Sequence, residues 1–489
     1  MTEKLELPLA QTGVPGLDTV LGGGLPELSF NIIGGSPGSG KTTFAQQIMF
    51  SLAHPGRKAL FFTAMGEPPV KMLRYQQQFS FFDFGKVDSS IQFISLAAEV
   101  EGGNYDDVLA QICEQVRLHS PALVFIDSFR SFVEGAKGEH REVHALQAFV
   151  QKLVTQMTGW NATTFLVGEY LVNEADRNPI FTVADGIIWL TQNVHRNAMV
   201  RKIQVLKMRG LKHRPGLHTF RIDRTGIEIF PRILPAPEPS GQARRADRTG
   251  RISTGVATLD QMLGGGVPVG YSILVVGPSG SGKTMLATEF LAEGARVGET
   301  AVLALFEKTP SQMMNDKLDK LVDSGRVELL NVRSLDVSVD ETLHEIVKMI
   351  DRLDAKRVVL DSLSGFELAL APEFRVDFRE SLYRMTTVLS EKGVTLLMTS
   401  ELEDRFSDFR FSPYGNAFLV DAIIVQRFIE IGAQLKTIVS VVKVRGSAHS
   451  RDMRLFEITE DGIVIGDGPA PYSDILLGGP RCLPALPAA

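Results

Sequence analysis

Cysteine and tryptophan are almost missing from this 489-residue chain, with two of each. Cys113 and Cys482 form no C-x-x-C spacing, and two cysteines cannot build a disulfide framework. The scaffold of a small secreted protein is therefore excluded, and a reducing, cytoplasmic setting is expected. Long hydrophobic runs are missing too: the longest apolar stretches are strand-sized, short of the ~20 residues a membrane helix needs. The opening Met1-Thr2-Glu3-Lys4-Leu5-Glu6 is charged where a secretory leader would be apolar. Nor does one sign of charge dominate. Lys and Arg number 51 against 57 Asp and Glu, a net charge of −6, so no global field draws the chain to nucleic acid or an anionic membrane. An apolar content of 44% and a charged content of 22% are ordinary for a soluble globular protein. The length fits two large domains or three of about 150 residues.

What is present is a phosphate-binding loop, twice. Gly35-Ser36-Pro37-Gly38-Ser39-Gly40-Lys41-Thr42 and Gly277-Pro278-Ser279-Gly280-Ser281-Gly282-Lys283-Thr284 both fit G-x-x-x-x-G-K-[ST]. The glycines let successive backbone N–H groups turn inward around phosphates, the lysine reaches the β- and γ-phosphates, and the threonine hydroxyl ligates Mg²⁺. Each loop follows a β-like run, residues 28–33 and 272–276, and precedes a helical pattern, and Thr43, directly after the first loop, is expected to bind nucleotide with it. ATP and Mg²⁺ are the implied ligands.

The loops belong to a longer repeat. Thr12-Gly13-Val14-Pro15-Gly16-Leu17-Asp18 with Gly22-Gly23-Gly24 returns as Thr254-Gly255-Val256-Ala257-Thr258-Leu259-Asp260 with Gly264-Gly265-Gly266, at the offset of the lysines (254 − 12 = 283 − 41 = 242). Lys207-Met208-Arg209-Gly210 returns as Lys443-Val444-Arg445-Gly446 (443 − 207 = 236), so a few residues are lost inside the second copy. The expected organisation is a first domain over 1–230, a Pro-rich linker over 231–250 carrying Arg244 and Arg245 on a solvated face, a second domain over 251–468 and a flexible tail over 469–489. Continuous apolar strands such as residues 59–63, 123–127 and 163–167 alternate with helical stretches such as 105–119 and 142–157. That pattern predicts two tandem α/β domains, each a doubly wound, mostly parallel sheet flanked by helices.

A nucleotide site of this kind also needs an acid at a buried strand end to hold Mg²⁺ through water. Asp127, after Leu123-Val124-Phe125-Ile126, and Asp361, after Val358-Val359-Leu360, supply it in both copies. With Thr42 and Thr284 they form the expected metal-binding set.

With the Thr-Gly-Val…Leu-Asp…Gly-Gly-Gly opening, both loops, both apolar–Asp strands and both Lys-x-Arg-Gly-x-x-His segments in place, the chain resembles the KaiC family, the RecA-like ATPases of the cyanobacterial clock. The resemblance spans about residues 10 to 465. It implies a Glu-Glu pair after the second strand, the first acting as catalytic base. Glu307 holds that place in the second copy, followed by Lys308, whereas in the first copy Gly66 occupies it and only Glu67 remains. A glycine cannot polarise water, so the first domain is expected either to use Glu67 or mainly to hold nucleotide.

Lys207-Met208-Arg209-Gly210-Leu211-Lys212-His213 and Lys443-Val444-Arg445-Gly446-Ser447-Ala448-His449 place two cations one residue apart, facing the same way along a strand. Such a pair suits one anion. The resemblance implies that it reaches the γ-phosphate of a neighbouring subunit, hence a homo-oligomeric ring, a hexamer with two stacked tiers, with clock-type or signalling proteins as partners. It also implies an adjacent Ser-Thr phosphorylation pair shortly before Asp421. Here that place reads Ala417-Phe418, with Ser407, Ser412 and Tyr414 nearby, so autokinase activity lacks its usual acceptor. A RecA-type recombinase or helicase is the other alternative. It would need basic or aromatic channel loops, and the acidic balance disfavours it.

Overall fold

The computed structural model describes residues 7–63, 69–101, 105–128, 149, 151–153, 155–157, 159–170, 179–195, 198–235, 250–306, 316–332, 338–370, 372–375, 378–402, 419–431, 433–460, 462–469, 472–473 and 481–482. Glu67, Glu307, the 403–418 segment and residues 236–249 of the linker lie outside the described residues. Two compact units divide at Arg232/Ile233. Each is built on a nine-stranded sheet.

In unit 1 the sheet strands in chain order are β1 (Phe30–Gly35), β2 (Ala59–Thr63), β3 (Ile91–Ser95), β4 (Leu123–Asp127), β5 (Thr163–Glu169), β6 (Gly186–His195), β7 (Ala198–Met208), β8 (His218–Asp223) and β9 (Gly226–Phe230). They lie in the order β9-β8-β7-β6-β1-β5-β4-β2-β3. The six strands from β6 to β3 in that row run parallel, and β7, β8 and β9 add an antiparallel edge. Unit 2 repeats the pattern with β10 (Ser272–Gly277), β11 (Ala301–Leu305), β12 (Val327–Asn331), β13 (Arg357–Asp361), β14 (Thr395–Glu401), β15 (Ala422–Ile431), β16 (Gln434–Val444), β17 (Met453–Thr459) and β18 (Gly462–Ile465). Its row is β12-β11-β13-β14-β10-β15-β16-β17-β18, the same topology.

The continuous apolar runs are explained by burial on both faces. Along β2, Ala59 and Phe61 point into one core with Phe125 and Phe165, whereas Leu60 and Phe62 point into the opposite core with Val124 and Ile126. Successive side chains of a strand alternate, so a sheet covered on both sides has no polar face to show. Helix α1 (Lys41–Leu52) covers the first face with Phe44, Ala45, Ile48 and Met49, and helix 105–119 covers the second with Val108, Ile112 and Val116. Each of the Val, Ile, Phe and Met side chains among them contributes about 1.5–3 kcal/mol on full burial. Unit 2 does the same with α2 (Lys283–Arg296) and helix 339–353. In that second helix the Ser338 hydroxyl accepts the Glu341 N–H at 3.0 Å as N-cap.

Two readings change in detail. The run from residue 28 enters the sheet only at Phe30, because Leu28 sits at φ 58°, a left-handed turn that a strand cannot contain. The strand of the first paired cations stops at Met208, so Arg209 lies just past its end. The repeated Thr-Gly-Val…Leu-Asp opening proves to be a local clasp. Asp18 Oδ1 accepts from the Thr12 amide (3.0 Å) and hydroxyl (2.8 Å), and Asp260 Oδ1 accepts likewise from Thr254 at 2.8 and 2.7 Å.

Among the described residues no helix is long and apolar enough to cross a membrane.

Candidate nucleotide sites

Each loop turns from the central strand of its sheet into a helix, at the carboxyl ends of the parallel strands, where an open α/β sheet places its ligand crevice. Gly40 and Gly282 end the loops at φ 95° and 97°. A Cβ there would stand 2.6 Å from Ile222 Cδ1 in unit 1 and 2.8 Å from a Phe456 ring carbon in unit 2. Only glycine can take that backbone while the antiparallel edge packs so closely.

In unit 1, Gly38, Gly40, Lys41, Thr42 and Thr43 line a cleft of about 450 Å³ together with Asp127, Ser128, Glu169 and Ile222. Thr42 Oγ1 donates to Asp127 Oδ2 at 2.6 Å, which joins two residues 85 apart in sequence. Lys41 Nζ donates to the Ser36 carbonyl at 2.8 Å and lies 3.8 Å from Glu169 Oε1. Burial holds the Lys41 ammonium below its ordinary pKa, opposed by the charges of Glu169 and Asp127. Burial pushes the Asp127 carboxyl up, opposed by the Thr42 hydrogen bond and the Lys41 charge. Ser39 Oγ is buried with no hydrogen-bond partner among the described residues.

In unit 2, Ser279, Gly280, Gly282, Lys283 and Thr284 line a cleft of about 300 Å³ with Asp361, Ser362, Glu401 and Ile458. Thr284 Oγ1 donates to Asp361 Oδ2 at 2.8 Å, and the Thr399 hydroxyl donates to the other oxygen, Oδ1. Lys283 Nζ donates to the Gly277 and Pro278 carbonyls at 2.8 and 2.7 Å. Ser281 Oγ donates to Gln426 Oε1 at 3.0 Å. The peptide bond after each strand-end aspartate, Asp127-Ser128 and Asp361-Ser362, is cis.

The paired cations stand elsewhere. Lys207 Nζ donates to the carbonyls of Phe181 (3.3 Å) and Thr182 (2.9 Å), and Arg209 Nη1 to Asp185 Oδ1 at 3.2 Å. Lys443 Nζ donates to the Val420 carbonyl at 2.7 Å, and Arg445 Nη1 to Asp421 Oδ1 at 3.3 Å. Burial lowers the pKa of both lysines, and the adjacent arginine adds to the effect. Asp185 and Asp421 also accept, through Oδ2, from the first amide of the central strand, Phe30 N at 3.0 Å and Ser272 N at 3.1 Å. Met208 is buried against the first core and Val444 against its counterpart. His213 Nδ1 is buried with no hydrogen-bond partner among the described residues, and His449 Nδ1 lies 3.4 Å from the Ser447 carbonyl.

The fold thus brings the loop residues, the hydroxyl and the aspartate together in each unit and leaves the Lys-x-Arg segment at the far end of the same sheet. It also adds Glu169 and Glu401, which sequence reasoning missed. They sit level with Gly35 and Gly277, the last residues of the central strands. The repeated strand endings Val167-Gly168-Glu169 and Thr399-Ser400-Glu401 were the available signal.

Strand order, loop position and strand-end aspartate together define a tandem RecA-like P-loop ATPase architecture. Matching against protein families assigns residues 10–233 and 252–470 to the family described as "ATPase: KaiC". The chain belongs to the KaiC family. It is 27% identical to the circadian clock oscillator protein KaiC of Picosynechococcus sp., over 96% of this chain and 92% of that protein. It is 28% identical to the circadian clock oscillator protein KaiC 1 of Synechocystis sp., over 96% and 91%. To the circadian clock protein KaiC3 of the same organism it is 27% identical, over 98% and 94%.

Proposed function

We propose that this protein is a clock-related, ring-forming ATPase that binds Mg²⁺-ATP in both cradles, completes each site with cations from a neighbouring subunit, and signals to partner proteins through nucleotide-dependent conformation. The observation that carries this reading is the separation of cradle and clamp within one sheet. Gly35 is level with Leu190 on β6, whereas Asn31 is level with Gly186, which pairs with Met208. Arg209, one residue further, is therefore level with Phe30, five strand residues from the cradle, about 16 Å at about 3.3 Å per residue. Unit 2 repeats this, with Arg445 N bonded to Asp421 O at 2.8 Å beside the start of β10. A clamp so placed cannot reach the phosphate of its own cradle. On this reading it serves a neighbouring subunit's cradle through a head-to-tail contact, which gives a ring when its rotation closes. A two-tier hexamer is the assembly that the family resemblance implies.

The donor sets suit Mg²⁺. Thr42 and Thr284 keep oxygen lone pairs free while their hydrogens go to Asp127 and Asp361, and each aspartate oxygen has lone pairs left for metal-bound water. Hard oxygen donors, water and substrate phosphates are what this ion prefers. When bound, it neutralises charge on the β- and γ-phosphates. Lys41 and Lys283 hold the phosphates, Glu307 takes the proton of the attacking water in the second unit, and Arg209 and Arg445 meet the transition-state charge. Autophosphorylation is not part of the reading, because Ala417-Phe418 offers no aliphatic hydroxyl. A cytoplasmic compartment suits a chain with only two cysteines.

Subunit mixing tests the clamp. Lys283→Ala chains lack a working second cradle but carry Arg445, and Arg445→Ala chains have the reverse defect. Each alone is expected to lose second-site turnover, and an equimolar mixture to regain it at about a quarter of its interfaces. No recovery in mixed rings would sink the trans-clamp.

A further inference from the structure

The two strand-end aspartates are held differently, although their strands are equivalent. In unit 2, Thr399 on β14 is level with Val275 on β10. It is fully buried, and its hydroxyl donates to Asp361 Oδ1 while Thr284 donates to Oδ2 at 2.8 Å. Both carboxylate oxygens are thus occupied by donors from separate elements, β14 and α2. In unit 1 the residue level with Ile33 on β1, the matching place, is Val167. Valine has threonine's shape without its hydroxyl. Among the described residues Asp127 accepts from Thr42 alone, at 2.6 Å.

A carboxylate turns about a broad, two-fold terminal torsion. One donor fixes one oxygen and lets the plane swing, whereas two donors on opposite oxygens fix the plane. The β-branched Thr399 is itself stiff at χ1, so its hydroxyl is a fixed post. Each Asp361 oxygen still has a lone pair to accept from a metal-bound water.

We propose that Thr399 is a positioning residue for Mg²⁺ at the second site: by pinning the Asp361 carboxylate it gives that site a firmer hold on the metal than the first, where Val167 leaves Asp127 pinned at one oxygen. This rests on the reading that Thr284 and Asp361 hold Mg²⁺ with the nucleotide. Partners one shell out from a metal typically change its affinity 10–100-fold when removed.

The test isolates each site in the full chain, with Lys41→Ala leaving the second and Lys283→Ala leaving the first. A fluorescent ATP analogue is titrated with Mg²⁺ and with EDTA, and the ratio of the two affinities measures the metal's contribution. In the Lys41→Ala chain, Thr399→Val is expected to cut that ratio about 10-fold with the EDTA affinity unchanged, and Thr399→Ser to restore it. In the Lys283→Ala chain, Val167→Thr is expected to raise the ratio. An unchanged ratio in Thr399→Val, an equal loss in EDTA, or failure of Thr399→Ser to rescue would overturn the positioning role. Parent single-site chains that bind no analogue at all would overturn the nucleotide reading itself, before any change at 399 or 167 is made.

Discussion

Unit 1 and unit 2 share topology, loop geometry, a hydroxyl–aspartate pair and a Lys-x-Arg pair tied to the start of the central strand, yet they differ at a few residues around those shared groups. Lys41 donates to one loop carbonyl, Ser36, and Lys283 to two, Gly277 and Pro278. Asp361 has a second hydroxyl donor where Asp127 faces Val167. At the repeat offset fixed by the strand ends, where Thr63 and Leu305 are each level with the aspartate (305 − 63 = 242), Glu307 falls opposite Met65 rather than Gly66, so the first copy has no acid at either position. The cores diverge as well. Leu123 opens β4, but the equivalent residue of β13 is Arg357, 2% exposed and bonded to Glu299 at 2.6 Å and to the Ser253 and Phe290 carbonyls. The loops and strand-end aspartates are alike in the two units while their surroundings are not, so a shared loop motif does not by itself imply a shared activity.

The sharpest way to break this comparison is at the clamps. Arg445→Ala is expected to lower ATP turnover about 10³-fold, the lower end for a trans arginine. Arg209→Ala is expected chiefly to weaken the ring in ATP, seen as a smaller species in size-exclusion chromatography. Next, Glu307→Gln is expected to lower steady-state turnover about 10²-fold, as for a lost general base, while Gly66→Glu changes it far less. Third, Arg357→Ala strands Glu299 and two carbonyls and should cost unit 2 about 3–5 kcal/mol. Calorimetry should show the transition of that unit alone moving down. Smallest, Ser338→Ala removes an N-cap for about 1 kcal/mol, visible as a minor shift in the same transition.

The sequence carried much of this on its face. The loops, the strand-end aspartates and the tandem repeat are local patterns, since fixed spacing is enough to recognise them. Buried strands such as Ala59–Thr63 announce themselves because both faces are apolar. Other features depend on which strands lie side by side, and no local pattern records that. Glu169 reaches the cleft because β5 lies next to β1, and Thr399 meets Asp361 because β14 lies next to β13. Asp185 looks like an ordinary strand-opening acid until Arg209 and Phe30 N are found on its two oxygens. The separation of clamp from cradle likewise emerges only from register across three strands. Glu67, Glu307 and the Ala417-Phe418 segment lie outside the described residues, and their roles rest on sequence and family.

The central claim is that two cradles built alike serve unequal chemistry, the first biased toward holding the ring and the second toward turnover. Its most direct test compares Lys41→Ala and Lys283→Ala chains in one experiment, reading ATP turnover and native mass in ATP and in ADP. The account predicts that Lys283→Ala loses most of the turnover while keeping the ATP-dependent ring, and that Lys41→Ala keeps most of the turnover per assembled ring but assembles poorly. Equal loss of turnover in the two chains, or turnover that survives Lys283→Ala, would contradict it.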